Sequence, residues 1–218
     1  MDLIKPVLFL SAIVALIFGC GGSHKGHHMP HKFDDAEKWA KHFEGPERDA
    51  WQKPAHVVEK MEITPGMEVA DIGAGTGYFL PHLSSAVGPE GAVHALDIEE
   101  NLVTHMSQKA ADQKLDNVHP RRIEPDNPAL EEGSIDRILI VNTWHHIGER
   151  TEYAAKLKTA LSEGGAIYIV DFELDSDKGP PRNHKLSKEA VVRELQEGGF
   201  ETTIIEEDLE HQYIVVGR

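Results

Sequence analysis

The sequence predicts an α/β protein in which a seven-stranded, mostly parallel sheet carries helices on both faces. Short apolar segments alternate with amphipathic segments along most of the chain, and turn sequences separate them. Because strand, helix and strand follow one another through short loops, most strands should run parallel with both faces of the sheet covered. The predicted strands are 67–72, 92–97, 118–123, 135–142, 165–172, 201–206 and 211–216. The predicted helices are 77–87, 99–114, 149–161 and 187–198.

The end of the chain departs from this parallel pattern. The last two predicted strands are joined only by EEDLE at 206–210, which is too short for a parallel crossover, so they should pair antiparallel. Turn sequences separate the other elements: GPEG at 88–91, DN at 116–117, EGS at 132–134 and SEGG at 162–165.

The first twenty residues resemble a bacterial lipoprotein signal. An apolar run covers 7–18, a length typical of a signal-peptide core and short for a membrane span. Gly19 then precedes Cys20, as at a lipoprotein processing site, although Phe18 stands where a small residue is usual. We therefore predict a signal over 1–19 and a lipid anchor on Cys20 at the periplasmic side of a bacterial membrane. The alternative is an uncleaved anchor or a misassigned start with an incidental cysteine. If the N-terminus is not a functional signal, the protein would be cytoplasmic.

Residues 20–32 are rich in glycine and histidine and have no apolar periodicity, which predicts a flexible tether. Its imidazoles could bind zinc, copper or nickel, but no carboxylate lies nearby and the glycines impose no geometry. We therefore assign no metal ligand and keep metal capture as an alternative. The tether histidines are His24, His27, His28 and His31. Cys20 is the only cysteine, which excludes disulfides within one chain and cysteine-based zinc sites.

A helical cap is predicted over 33–62, ahead of the main domain at 63–218. Apolar residues recur there at helical spacing, and Gly45-Pro46 should divide the segment into two short helices. This cap could cover a ligand through Arg48 and Trp51, although a tryptophan at helical spacing is more often part of a core.

Charge excludes some partners. The formal net charge is −15, which disfavours sequence-independent binding to nucleic acid and electrostatic docking on anionic lipid. Membrane association should therefore depend on the lipid anchor.

The stretch VADIGAGTGYF at 69–79 places three glycines directly after an apolar strand. Their spacing is G-x-G-x-G, whereas a dinucleotide fingerprint would need glycine where Tyr78 stands, and no P-loop lysine follows. Asp71 precedes the glycines and would repel a pyrophosphate but attract an ammonium or sulfonium group. Asp97 ends the second predicted strand, where a carboxylate can accept ribose hydroxyls. The alternative is a glycine turn that only packs a helix on a strand, with Asp97 as a helix cap.

The glycine loop and the acidic end of the second strand resemble class I S-adenosylmethionine-dependent methyltransferases over about 55–217, most of all the small-molecule branch that includes quinone-biosynthesis enzymes. The resemblance implies a Rossmann-like seven-stranded sheet whose last strand inserts antiparallel. It also implies S-adenosylmethionine as cofactor, Asp97 on the ribose and Ile98 beside the adenine. The residues expected to line the methionine moiety are Asp71, Gly73, Gly75 and Gly77. Glu124 or Asp126 would meet the adenine amine, although the common Gly-Asp-Ala pattern is missing there.

The fourth strand runs into polar and aromatic residues, SIDRILIVNTWHHIGE at 134–149. By the resemblance, this end lies beside the transferred methyl group, so Asn142, Trp144, His145 and His146 are candidates for cofactor or substrate contact. A neutral imidazole could take a proton from the nucleophile, which makes His145 and His146 the candidate bases. The alternatives are that one histidine packs, that the other caps a helix, and that the enzyme relies on positioning alone.

The loop KGPPRNHKLS at 178–187 could close over a substrate and bring His184 inward, or it could be an ordinary exposed connection. The predicted function is methyl transfer from S-adenosylmethionine by in-line displacement to a small or lipid-like molecule. Arsenic methylation, which uses several thiols, is disfavoured by the single cysteine. The alternatives are a non-catalytic lipoprotein that binds S-adenosylmethionine or a nucleoside, and a metal-binding lipoprotein. These gain weight because S-adenosylmethionine is not expected outside the cytoplasm.

Overall fold

A computed structural model describes residues 44–205 and 209–218. The predicted signal, the tether and the first part of the cap, up to residue 43, lie outside the described residues, as does 206–208. Within the described part of the chain, none of the helices combines the length and apolar character needed to cross a membrane.

The described residues form one seven-stranded sheet in the order β3-β2-β1-β4-β5-β7-β6. Its strands are β1 (Glu68–Ile72), β2 (Ala92–Asp97), β3 (Val118–Arg122), β4 (Ile135–Val141), β5 (Leu161–Phe172), β6 (Thr202–Ile205) and β7 (Gln212–Gly217). The pairs β1–β2, β2–β3, β1–β4 and β4–β5 are parallel. β7 lies between β5 and β6 and runs antiparallel to both. The predicted fold class, including the antiparallel last strand, is confirmed.

Helices cover both faces of the sheet. The helices are α1 (Pro46–Gln52), α2 (Pro54–Lys60), α3 (Leu80–Val87), α4 (Glu100–Gln113), α5 (Arg150–Ala160) and α6 (Lys188–Glu197). One apolar core joins α2, α3 and α4 to the sheet, with Met61, Leu83 and Met106 buried in it. The other joins α5 and α6 to the opposite face around Leu157 and Leu195. Burial of apolar side chains on both faces explains why the central strands read as continuous apolar runs.

The helix that follows the glycine loop begins later than its sequence pattern predicts. α3 begins at Leu80 rather than at residue 77, because Gly77 takes the left-handed conformation at φ +76° and cannot continue a right-handed helix. α6 agrees closely with the prediction, and its Ser187 Oγ accepts the Ala190 N–H at 3.2 Å as an N-cap.

The predicted turn at 162–165 lies inside β5. Ile135 pairs with Leu161 and Arg137 pairs with Ala166, so the SEGG segment forms an irregular bulge within the strand. The expectation that β5 begins at residue 165 is therefore wrong. The strand begins at Leu161, directly after α5, where its pairing with β4 starts.

The predicted break at Gly45-Pro46 borders residues outside the described part of the chain, and the described part of the cap has a break of its own at Lys53. α1 begins at Gly45-Pro46, and the break between two helices falls at Lys53, whose φ is +47°. Lys53 precedes Pro54, and a residue before proline is disfavoured in the right-handed helical region. The chain therefore turns there, and α2 packs Val57 and Val58 into the first core.

Candidate active site

The glycine loop leaves β1 and turns back against β2. Gly73 N–H and Ala74 N–H both donate to Leu96 C=O, at 2.8 and 3.1 Å. Gly73 has φ +71°, and a Cβ built there would lie 2.3 Å from Thr143 Cγ2. Because β1 and β4 are neighbours, the loop after β4 presses against Gly73, and this close approach requires glycine.

Gly75 is a different case, since its missing side chain leaves open space. A Cβ at Gly75 would meet nothing nearer than Gly73 C=O at 3.9 Å, although φ is +61°. Gly75 lines a large cleft. By contrast, Gly77 is not among the cleft-lining residues, and a Cβ there would lie 2.6 Å from Leu80 Cδ1. Gly77 therefore leaves room for the side chains of Leu80 and Met106 on the following helices, instead of lining the cleft as the resemblance implied.

Asp97 ties the end of β2 to the glycine loop. Its Oδ2 accepts the Gly75 N–H at 2.8 Å, and its Oδ1 accepts the Glu99 N–H at 3.0 Å. The carboxylate is buried, which raises its pKa, while these backbone donors oppose the rise. Asp97 therefore fixes the turn that leads into α4 and also faces the cleft, but it does not cap that helix, whose N-cap residue is Glu99.

Asp71 lies at the carboxyl end of β1 and is also buried. Burial raises its pKa to about 7, the charge of Asp97 adds to the rise, and Arg48 opposes it. A cation bound beside Asp71 would favour the ionised carboxylate, whereas a second anion would not.

The cleft extends along the carboxyl ends of β1, β2, β4 and β5 and has a volume of about 1610 Å³. The predicted site residues that line it are Asp71, Gly73, Gly75, Asp97, Ile98, Glu124, Asp126, Asn142, His145 and His146. We call the part near β1, β2 and β3 the glycine-loop half; its acidic residues are Asp71, Asp97, Glu99, Glu124 and Asp126. We call the part near β4 and β5 the histidine half; it is formed by Trp51, His145, His146, Phe172 and the loop 178–184.

The acids after β3 are exposed. Glu124 forms an ion pair with Arg122 at 2.8 Å, and its backbone forms an isolated antiparallel β-bridge with Asn127. Asp126 lies in the same loop. Both line the cleft, so the structure does not choose between them as the partner of an adenine amine, and that role stays a prediction.

Asn142 belongs to a ring of three side-chain amides. Gln212 Nε2 donates to Asn142 Oδ1 at 2.5 Å, Asn142 Nδ2 donates to Gln52 Oε1 at 3.4 Å, and Gln52 donates to Gln212. Gln52 and Gln212 are buried. The ring joins α1, β4 and β7, and it holds Asn142 at the cleft wall with φ +55°. Neither glutamine could be predicted from the sequence, because residues 160 positions apart carry no local signal of contact.

His145 is fixed by a carboxylate from the next strand. Its Nδ1 lies 2.9 and 2.8 Å from the two carboxylate oxygens of Asp171, at the end of β5. An ionised carboxylate only accepts hydrogen bonds, so Nδ1 carries a proton, and in the neutral imidazole Nε2 then keeps its lone pair. The ring of His146, an exposed residue, lies 4.2 Å from the ring of His145. The pairing of adjacent strand ends is a signal that could have predicted Asp171.

Trp144 does not reach the cleft. Its ring is fully buried in the core beneath α5 and α6, and its Nε1 donates to Glu194 Oε2 at 2.8 Å. Its prediction as a substrate or cofactor contact is wrong, since the short 3₁₀ turn Trp144–His146 directs it to the opposite side from the histidines.

The cap and the loop 178–184 both contribute residues to the wall of the cleft. Arg48 lies 4.0 Å from the centre of the Tyr78 ring, and the Tyr78 hydroxyl donates to Asp49. Arg48 and Trp51 both line the cleft, as does His184. The loop is therefore part of the cleft wall, although His184 itself is exposed.

Among residues 44–205 and 209–218, histidine, cysteine and acidic side chains form no group of three or more that could hold a metal ion. The tether histidines lie outside the described residues.

The glycine-loop half fits S-adenosylmethionine better than a pyrophosphate. Open space at Gly75 lets a ligand approach the backbone, and Thr76 Oγ1 is buried with no hydrogen-bond partner among the described residues. Two buried carboxylates, Asp71 and Asp97, would meet a ligand there, and they suit an ammonium group and ribose hydroxyls.

Comparison with known proteins agrees with this chemistry. The sequence profile of the family described as "Methyltransferase domain" matches residues 63–212, more than half of the chain. Demethylmenaquinone methyltransferase of Halalkalibacterium halodurans is 25% identical over 122 residues, which cover 56% of this chain and 49% of the relative. Nocamycin O-methyltransferase of Saccharothrix syringae is 32% identical over 114 residues, 52% of this chain and 41% of the relative. This chain thus aligns with about half or less of each relative's length.

A solved structure extends the likeness to the whole fold. The crystal structure of an S-adenosylmethionine-dependent methyltransferase from Aquifex aeolicus superposes with a TM-score of 0.78 at 28% identity. The match covers 84% of this chain and 97% of that chain. The chain therefore belongs to the methyltransferase-domain family, within the class I S-adenosylmethionine-dependent methyltransferases.

Proposed function

We propose that the protein transfers a methyl group from S-adenosylmethionine to an ionisable oxygen or carbon atom of a small molecule, with His145 as the general base. The observation that carries this proposal is the buried pair of His145 and Asp171 at the cleft wall. An enzyme that relied on positioning alone would not need a histidine with one fixed tautomer.

The glycine-loop half would hold the cofactor. Asp71 would pair with its ammonium group, Asp97 would accept hydrogen bonds from the ribose, and Gly75 would let it approach the backbone. Ile98 would flank the adenine. When bound, S-adenosylmethionine supplies an electrophilic methyl group on a positively charged sulfur.

The histidine half would hold the methyl acceptor. His145 Nε2 takes the proton of the acceptor's nucleophilic atom as that atom attacks, and it later releases the proton to water. Asp171 stabilises the imidazolium formed and prevents the ring from turning. His146 lies beside this pair and is exposed, which suits contact with the acceptor.

The relatives support a small acceptor. Two are named for methylation of demethylmenaquinone and of nocamycin, and the acidic charge of this chain disfavours nucleic acid. Because the matches span about half of each relative or less, the acceptor of this protein is not transferred from their names.

Transfer of tritium from methyl-labelled S-adenosylmethionine to a small molecule of a cell extract tests the function. The expected result is a labelled product that requires the protein and is lost in the His145→Gln variant. Binding of S-adenosylmethionine by calorimetry without any labelled product would contradict the proposal and favour a non-catalytic binding protein. No binding, with Asp97→Ala behaving like the wild type, would also exclude that alternative.

We further propose that the protein is a lipoprotein of the bacterial cell envelope. The apolar run at 7–18, followed by Gly19 and Cys20, supports this location. Fractionation and mass spectrometry of the N-terminus test it, and an unmodified Met1 in the cytoplasmic fraction would contradict it. An envelope location would also require a source of S-adenosylmethionine there.

Metal binding by the histidine-rich tether is a separate proposal that the residue types support. Nickel or zinc titration of the full chain and of a variant lacking 20–31 tests it. Equal metal affinity of the two proteins would show that the tether does not bind metal.

A further inference from the structure

The two halves of the cleft differ in charge. The glycine-loop half is lined by several carboxylates, whereas the histidine half is lined by His145, His146, His184 and Lys178, together with the exposed Glu149. Arg150 also lines the cleft there, but Glu194 pairs with it at 2.8 Å. In a chain of formal net charge −15, a lysine at the wall of this half of the cleft is a candidate contact for an anionic ligand group.

Lys178 is held beside the cleft by its backbone. Its N–H donates to Ser176 Oγ at 3.0 Å. Ser176 C=O accepts a hydrogen bond of 2.6 Å from the ammonium group of Lys185, a buried residue. Arg182 Nη1 donates to Leu174 C=O at 3.1 Å, across the same loop. These contacts hold the loop in place. Lys185 and Arg182 donate to backbone carbonyls of the loop itself, whereas Lys178 lines the cleft.

Gly179 connects this loop to the proposed base. Its φ is +77°, and a Cβ there would lie 2.4 Å from Phe172 Cδ2, so the backbone packs directly on that ring. Phe172 follows Asp171, the residue that holds His145. Lys178 thus lies on the same short structural unit as the proposed base.

The acidic residues nearest to Lys178 in sequence do not neutralise it. Glu173 pairs with Lys188 at 3.1 Å, and Asp177 lies 3.4 Å from His211. Asp175 is exposed and does not line the cleft. In the described part of the chain, no carboxylate forms an ion pair with the Lys178 ammonium group.

An aromatic wall completes this half of the cleft. The rings of Trp51 and Phe172 lie 5.9 Å apart at 37°, and both residues line the cleft. Flat, apolar surfaces of this kind favour a planar ligand that can stack on them.

We propose that the methyl acceptor is a planar aromatic molecule carrying a carboxylate, which Lys178 binds while His145 faces the acceptor's hydroxyl group. The proposal rests on the proposed function and names the substrate class of the same site. A carboxylate fits better than a phosphate, because a single lysine matches one negative charge and the rest of the chain is acidic.

Calorimetry with 3,4-dihydroxybenzoate and catechol as probes, in the presence of S-adenosylhomocysteine, tests the inference. The wild type should bind the carboxylate probe at least about tenfold more tightly than catechol, since a hydrogen bond to a charged group contributes about 1.5–3 kcal/mol. Lys178→Gln should abolish this preference and leave catechol affinity unchanged, and Lys178→Arg should restore most of it. Lys158→Gln, outside the cleft, is the charge-matched control and should retain the preference.

The outcomes separate the two proposals. Absence of S-adenosylhomocysteine binding by the folded wild type would overturn the proposed function. Normal binding of S-adenosylhomocysteine together with equal or undetectable affinity for the two probes would overturn only the carboxylate acceptor. A preference that survives in Lys178→Gln would assign the carboxylate to another residue and would also overturn the inference.

Discussion

Asp171 holds His145 through contacts of 2.8 and 2.9 Å, and the side chains are 1% and 4% exposed. The two residues are 26 positions apart in sequence and meet because β4 and β5 are parallel neighbours that end at the same edge of the sheet. Asp171 also accepts the Phe172 N–H at 2.8 Å, so its carboxylate is itself fixed. The pair is therefore a preorganised donor and acceptor at the wall of the cleft.

Disruption of this pair should reduce turnover more than binding. His145→Gln should lower kcat by about 10²–10⁴, the usual contribution of a general base. Asp171→Asn should also lower kcat, because the imidazole would lose its preferred tautomer. His146→Gln is the neighbouring control, and it should affect KM more than kcat. Steady-state kinetics over pH 6–9 checks these effects, and an unchanged kcat and pH profile in Asp171→Asn would contradict the assignment.

Gly75→Ala should weaken cofactor binding through a direct clash with the ligand. Gly133→Ala is a matched control, since both glycines have φ near +60° and open space around the missing Cβ, but only Gly75 lines the cleft. Both variants should lose about 1 kcal/mol of stability through backbone strain. Calorimetry with S-adenosylmethionine should show reduced affinity in Gly75→Ala alone. Equal affinities in the two variants would exclude close approach of the cofactor at Gly75.

Asp71→Asn should change the pH dependence of stability. Since burial raises the pKa of Asp71 to about 7, the folded protein holds this proton more tightly than the unfolded chain, and stability falls as pH rises from about 4 to 7. Above that range the ionised, buried carboxylate costs the protein on the order of 2–4 kcal/mol. Thermal unfolding without ligand should therefore show Asp71→Asn more stable than the wild type at pH 8, with little difference at pH 4.

The same carboxylate gives a prediction about binding. Because the cofactor's ammonium group favours ionised Asp71, wild-type affinity for S-adenosylmethionine should rise from pH 6 to 8, with proton uptake by the buffer. Asp71→Asn should bind more weakly and lose this dependence. Calorimetry in buffers of different ionisation enthalpy measures the proton that Asp71 releases to the buffer on binding. If the wild type released no proton, Asp71 would not contact a cation.

Gln52→Leu should destabilise the protein and loosen the cap. The substitution leaves Gln212 and Asn142 without one amide partner each, and each unsatisfied buried group costs about 1–3 kcal/mol. Gln196→Leu is an exposed control whose contact with Thr202 lies on the surface. Chemical denaturation should show a large loss for Gln52→Leu only. An equally large loss of unfolding free energy in Gln196→Leu would mean that the amide ring adds no specific stability.

Much of the fold follows from local pattern in the sequence. Alternating apolar segments predicted every strand of the sheet, and the short link after residue 205 predicted the antiparallel pairing of β6 and β7. The glycine spacing, together with Asp71 and Asp97, predicted a ligand loop after β1. These features could be predicted because strand periodicity, turn chemistry and connection length depend on residues close in sequence.

Tertiary structure decided which of these side chains act together. Trp144 and His145 are adjacent in sequence, yet one is buried beneath α5 and α6 and the other reaches the cleft beside Asp171. The amide ring of Gln52, Asn142 and Gln212 likewise requires three distant segments to meet. Sequence determined the strands and the ligand loop, whereas only the packing of strand ends and helices selected the partners, because hydrogen bonds between distant residues leave no local periodicity.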